Sequence, residues 1–230
     1  MNSRFDALFS EWAKKEKHAG RLFNRDGIVN EEEWNASDKK ILFLLKEAYH
    51  KTEMPGDTYD LSEDLNSNGP WSNIWYRVAD WTRAIMQTEE NRIPSYKKLS
   101  HDDANNYLRK IAVVNIKKSG GTSTSRYDNL KGYAQDDAEE LLTEIELINP
   151  DIIVCCYSFD YLNIVLSIAN EQIDKAGHPN DNYHYRWRDK TVIDYYHPAA
   201  HTDALQSFYG IVGCYHDSLL YAVIRGISSV

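Results

Sequence analysis

Lys46-Glu47-Ala48-Tyr49-His50 directly follows the apolar run Ile41-Leu42-Phe43-Leu44-Leu45, so a carboxylate, a phenol and an imidazole arrive together. A carboxylate can orient a water or face a developing cation, while an imidazole or phenol can donate to a departing oxygen. A short buried strand with such groups at its carboxyl end builds the place where open α/β sheets bind and transform ligands. Two more polar residues close apolar runs in the same way: Asn115 ends Ile111-Ala112-Val113-Val114-Asn115, and His197 follows Val192-Ile193-Asp194-Tyr195 by one residue. Asn115 offers both an acceptor and donors, which suits the edge of a heterocycle. Trp71 offers a flat face on which such a ring can stack. Singly, each has a plainer reading. Glu47 reads as a surface carboxylate, His197 before Pro198 as a turn residue, Asn115 as a loop cap and Trp71 as core. Their common position at strand ends turns them into a candidate site.

The elements that must hold these residues follow from alternating periods. Apolar runs at 41–45, 111–115, 152–156 and 192–195 read as strands. Residues 72–88 read as a helix capped by Ser72, with Ile74, Val78, Trp81 and Ile85 on one face. Residues 136–148 repeat that pattern and stop at Asn149-Pro150. Residues 159–176 and 203–226 also read as largely helical, and 1–36 as a helical addition carrying Phe5, Leu8, Phe9 and Trp12. Strands separated by crossover helices imply a mainly parallel sheet covered on both faces.

A chain of 230 residues, 42% of them hydrophobic, can bury one large core, and no Pro- or Ser-rich linker divides it. One domain over 1–230 is expected. The charged opening stretch has no signal-peptide centre and the apolar runs are too short to span a bilayer, so a cytoplasmic protein without membrane contact is expected. Adjacent Cys155 and Cys156 with distant Cys214 fit neither a disulfide framework nor a thiolate metal site. No metal or cofactor is expected.

The net charge of −9 argues against whole-surface attraction to nucleic acid. Residues 109–131, however, carry six bases (Arg109, Lys110, Lys117, Lys118, Arg126 and Lys131) against Asp128 alone, a basic edge that could track phosphates. Gly120-Gly121 within it would let backbone amides come close to one. The following stretch, 136–151, has seven acids and no base, and reads as a solvated helix face.

Several of these segments, in this order, resemble the uracil-DNA glycosylase superfamily. Lys46-Glu47-Ala48-Tyr49-His50 is similar to the Gln-Asp-Pro-Tyr-His segment after that family's first strand. Pro70-Trp71-Ser72-Asn73-Ile74 resembles its Pro-Ser-Leu-x-Asn-Ile loop, one residue shorter. Ile111 to Asn115 resembles its Leu-Leu-Leu-Asn strand end, and Asn149-Pro150-Asp151-Ile152-Ile153-Val154 the helix-to-strand passage of its iron–sulfur members. His197-Pro198-Ala199-Ala200-His201, followed by Phe208-Tyr209-Gly210, resembles the His-Pro-Ser-Pro-Leu loop and the Phe-Phe-Gly beyond it.

The resemblance covers roughly residues 40–225 and implies a three-layer α/β/α fold with a four-stranded parallel sheet of order 2-1-3-4. It further implies a monomeric DNA glycosylase that releases a flipped-out pyrimidine, either uracil or a phage-type modified cytosine such as glucosylated hydroxymethylcytosine, in repair or antiviral defence. Glu47 and His197 would be catalytic; Asn115, Tyr49 and Trp71 would hold the base, with Tyr49 crowding its 5-position. Lys46, Lys117, Lys118, Ser119, Gly120, Gly121, Arg126 and His201 would touch DNA. Glu47 replaces the family aspartate, Lys46 alters the pocket mouth, and Ala200-His201 replaces the Pro-Leu tip that wedges into the duplex. Two other readings stay open: a non-catalytic binder of DNA or a partner protein on the same fold, and a hydrolase of free nucleosides or nucleotides, for which the negative charge is no obstacle.

Overall fold

Runs of alternately facing apolar residues, rather than any single motif, lay down the frame. The structure, a computed structural model, describes the backbone of residues 3–49, 56–121, 125–177 and 183–224; the side chains of Ser3, Tyr49 and residues 222–224 lie outside that description. The chain opens with α1 (Ser3–Trp12), β1 (Phe23–Arg25), β2 (Gly27–Ile28) and α2 (Glu31–Ala36). Then come β3 (Ile41–Tyr49), β4 (Thr58–Asp60), α3 (Leu61–Asn68), α4 (Asn73–Gln87), α5 (His101–Leu108) and β5 (Ile111–Gly121). The second half holds α6 (Tyr127–Asp136), α7 (Ala138–Ile148), β6 (Ile152–Cys156), α8 (Phe159–Ile168), β7 (Asp174–Lys175), β8 (His184–Trp187), β9 (Lys190–Tyr195) and α9 (Ala204–Ile224).

The nine strands among the described residues form one open α/β sheet in the order β4-β1-β5-β3-β6-β9-β8-β7, with β2 pairing β5 beside that path. A sheet of four strands is therefore corrected to one of nine. The four anticipated strands lie next to one another in its middle and run parallel, β5 with β3, β3 with β6 and β6 with β9. On one side the sheet is extended by the first 36 residues, expected as a helical addition, which supply β1 and β2 as well as α1 and α2, and by β4, which pairs parallel with β1 at the edge. On the other side β8 turns antiparallel onto β9, and residues 174–175, expected in a helix, form β7. The expected helix 136–148 is interrupted at Asp137, which divides α6 from α7.

Strand periodicity decides what each face buries. Ile41, Phe43 and Leu45 of β3 pack with Val78, Trp81 and Ile85 of α4 and Phe208 and Ile211 of α9. Leu42 and Leu44 pack on the other side with Phe9 and Trp12 of α1, Leu130 of α6, Leu141 and Ile145 of α7 and Val165 of α8. Each such side chain contributes about 1.5–3 kcal/mol on burial, and a one-residue slip of β3 would swap its residues between the two packed faces and break both interlocks. The start of β3 is pinned as well. The Lys40 N–H donates to Asp151 Oδ2 at 2.8 Å, and the Asp151 N–H returns a bond to the Lys40 carbonyl at 2.9 Å. Asn149, left-handed at φ 49°, turns the chain out of α7 into that clasp.

Two strands outrun their apolar segments. β3 continues four residues beyond Leu45 and β5 six beyond Asn115, pairing Glu47 with Lys117 and Tyr49 with Gly121, with an irregularity between the two pairs. Opposite charges directly across the ladder hold this polar extension together.

Candidate functional site

At the carboxyl ends of these strands lies a cavity of about 550 Å³ whose wall includes Lys46 and Glu47 from β3, Asn115 from β5, Trp71 and Ser72 before α4, and His197 after β9. Tyr59 and Trp75 complete much of its apolar side. The structure thus gathers Glu47, Asn115, Trp71, His197 and Lys46 at one concavity. The Tyr49 side chain and His50 lie outside the described residues.

Glu47 is held from two sides. Lys117 Nζ lies 2.9 Å from its Oε2, and both side chains are nearly closed to solvent. Behind it Gly121 leaves no room for a side chain: a Cβ there would meet Glu47 Cγ at 2.7 Å and the Ala48 carbonyl oxygen at 2.8 Å. Asn115 is 1% exposed, with its backbone N–H donating to Asp26 Oδ2 at 2.8 Å and its Nδ2 to the same oxygen at 3.0 Å. Its Oδ1 is buried without a hydrogen-bond partner among the described residues.

His197 is poised as a neutral donor. Burial, reinforced by the positive charge of Lys46, pulls its pKa down to about 4. The Ala199 N–H donates to His197 Nδ1 at 3.1 Å, so the neutral ring carries its proton on Nε2. The loop is fixed by Arg77 of α4, which donates to the carbonyls of Ala200 at 2.5 Å and Thr202 at 2.9 Å. Trp71, half exposed, leans on Trp75 with ring centres 5.5 Å apart. Lys46 sits over the Tyr157 ring at 4.6 Å, and burial lowers its pKa. Tyr157 in turn borders a second concavity of about 570 Å³ shared with Asp194 and Tyr196.

The basic edge is corrected. Lys117 spends its charge on Glu47, and Lys118 is wholly buried between Asp26 and Glu144, its Nζ 2.7 Å from Glu144 Oε2. Burial works against the Lys118 cation, but the two carboxyl groups outweigh it and hold its pKa up. Ser119 is also buried, with its Oγ 2.7 Å from His18 Nδ1, while His18 Nε2 lies 2.8 Å from Asp137 Oδ2. These are the residue types of a hydrolytic triad, but Ser119 has no exposed surface from which to attack a substrate. Gly121 makes room for Glu47 rather than for a phosphate, and the Gly120 N–H is taken by the Leu22 carbonyl. Of the residues assigned to DNA contact, Arg126 before α6 and His201 in the loop after β9 are exposed, and Lys46 stands at the cavity.

Sequence reasoning missed Asp26, Lys117 as a partner of Glu47, and Arg77. Asp26 stands in Arg25-Asp26-Gly27, a turn-like string with no apolar run to mark it. Comparison of the sequence with protein-family models and with curated proteins finds no match.

Proposed function

We propose that this protein is a DNA glycosylase that hydrolyses the N-glycosidic bond of a flipped-out, non-standard pyrimidine, uracil or a phage-type modified cytosine, and leaves an abasic site. The observation that carries this reading is the convergence of Glu47, Asn115, Trp71 and His197 on one cavity at the carboxyl ends of β3, β5 and β9. The inner strands β5-β3-β6-β9 stand in the order 2-1-3-4 when numbered by their appearance in the chain, which supports the resemblance to the uracil-DNA glycosylase superfamily.

Breaking the glycosidic bond develops positive charge on the sugar and negative charge on the base. Glu47, fixed by Lys117, faces the first and orients the attacking water. Neutral His197 donates Nε2–H to the base oxygen that gains charge, so no proton has to be lost from the protein in that step. Asn115 binds the base edge and Trp71 stacks on the ring. Water is the only co-reactant this scheme needs.

The test is to incubate the protein with uracil-containing oligonucleotides, native and modified phage DNA, and free nucleosides, scoring abasic sites and released base. Glu47→Gln and His197→Ala should each lower release by about 10²-fold, the usual scale for a lost transition-state donor or base. No release from any substrate would overturn the reading. A second reading, hydrolysis of free nucleosides or nucleotides, is favoured by the inward turn of Lys117 and Lys118, which removes the basic track. Release from nucleosides but not from DNA would select it.

A further inference from the structure

A buried amide can be read in two orientations, and what stands behind it decides which one the cavity meets. Behind Asn115 stands Asp26, itself 5% exposed. One carboxylate oxygen takes both the backbone N–H and Nδ2 of Asn115, and the other takes Lys118 Nζ. The Lys118 and Glu144 side chains beyond are fully closed to solvent. Burial raises the Glu144 carboxyl well above the usual range, while Lys118 Nζ sits directly on Asp26 Oδ1. Turning the Asn115 amide over would press its oxygen against a carboxylate oxygen, two acceptors without a proton between them. The amide is therefore locked with Nδ2 inward. Oδ1 is left in the cavity wall as a buried acceptor with no partner among the described residues, an unfavourable state until a donor fills it.

We propose that Asp26, backed by Lys118 and Glu144, is a positioning residue that makes the cavity selective for heterocycles presenting an N–H donor, such as the imide of a uracil, against rings that present an acceptor at that edge. The inference rests on reading the cavity as a heterocycle site. A ligand with N–H opposite Oδ1 completes the last unmet bond of the Asn115 amide oxygen. A ligand with a bare ring nitrogen there leaves two acceptors facing each other and both desolvated.

The probes are 1-methyluracil, which carries N3–H, and 1-methylpyrimidin-2-one, whose N3 is a bare acceptor. Their binding to the intact protein is to be followed by calorimetry and by the side-chain amide resonances of Asn115. Wild type should prefer 1-methyluracil by about 10-fold or more, the scale of one buried polar mismatch. Asp26→Asn offers Asn115 either a donor or an acceptor, so the preference should shrink several-fold and the Asn115 resonances should shift. Because that variant leaves Lys118 short of a partner, Asp26→Asn/Lys118→Leu provides the same loss of the lock without a stranded cation. An undiminished preference in a folded variant, or none in wild type, would overturn the inference. The base-release assay reads separately: release with an unchanged preference sinks this inference alone, and a strong preference without release sinks the enzymatic reading alone.

Discussion

Lys117 and Lys118 are neighbours on β5, both are largely or wholly buried, and both neutralise carboxylates, yet they belong to different parts of the molecule. Lys117 meets Glu47, which forms part of the cavity wall, so one member of the pair faces the cavity. Lys118 meets Asp26 and Glu144 in a closed layer beside Phe9 and Trp12, where no ligand can. The same pairing stands at the proposed site in one place and inside the closed core in the other. Surroundings make the difference: a pair with one member on a cavity wall borders space that a ligand can enter, whereas a sealed one must be satisfied entirely by protein. The His18, Ser119 and Asp137 set belongs with the sealed group, despite its catalytic-looking composition.

That contrast can be broken most forcefully at Lys118. Lys118→Ala strands two buried carboxyl groups, and urea unfolding should show a loss of about 3–5 kcal/mol, against about 1–3 kcal/mol for Lys117→Ala beside the cavity. Equal losses would erase the distinction between sealed and open pairs. Neither variant should change the salt dependence of DNA binding, whereas Arg126→Ala should lower its slope by about one.

Gly121→Ala sharpens the comparison from the cavity side. Its methyl group drives into Glu47 and the Ala48 carbonyl, so base release should fall by about 10-fold or more while stability drops by about 1–3 kcal/mol. Activity surviving intact in a folded Gly121→Ala protein would mean that the position of Glu47 does not matter.

The pH profile probes the third member of the cavity. With the His197 pKa pulled down to about 4, the neutral donor persists through the range in which an ordinary histidine would titrate, so the acid limb of base release contributed by His197 should lie near pH 4 rather than 6.5. The same shift affects stability with a definite sign. As pH falls from about 6.5 towards 4 the unfolded chain takes up this proton and the folded one does not, so stability falls across that window, and His197→Ala should flatten the fall.

The smallest effect is expected at Asp194, whose pKa burial and then the charge of Asp160 push up to about 6. Its raised value favours the folded state at low pH, a contribution lost as pH rises through 6. Asp194→Asn should therefore raise Tm at pH 7.5 by about 2–4 °C, corresponding to about 1 kcal/mol after allowance for its partial exposure, with the gain gone below pH 4. A gain that persists at pH 4 would trace to packing instead.

The four central strands were legible because each is a closed apolar run, and their parallel pairing because helices separate them, whereas their order was expected only from the family resemblance. Glu47, Asn115, Trp71 and His197 were legible for the same reason, as polar or aromatic residues placed just where such runs stop or a helix begins. The extensions of β3 and β5 were not. Apolar periodicity ends at the first charge, but in this sheet the charges meet their complements across the ladder, and strand continues where the pattern reads as loop. A lysine that stays inside because Asp26, far away in the chain, waits for it leaves no local mark. The outer strands β1, β2, β4, β7 and β8, two to four residues each, are too short to carry a period, and they join the sheet through pairings that only the folded chain reveals.

Arg77 has one further consequence. It rises from the helix whose first turn follows Trp71 and grips the carbonyls of Ala200 and Thr202 in the loop after His197, so the indole and the imidazole are jaws of a single caliper. Its gape is set by one rigid rod rather than by two loops drifting independently. On the proposed function a ring's size would then be gauged before any hydrogen bond is tested, and a variant without the Arg77 grip would turn the caliper into a hinge.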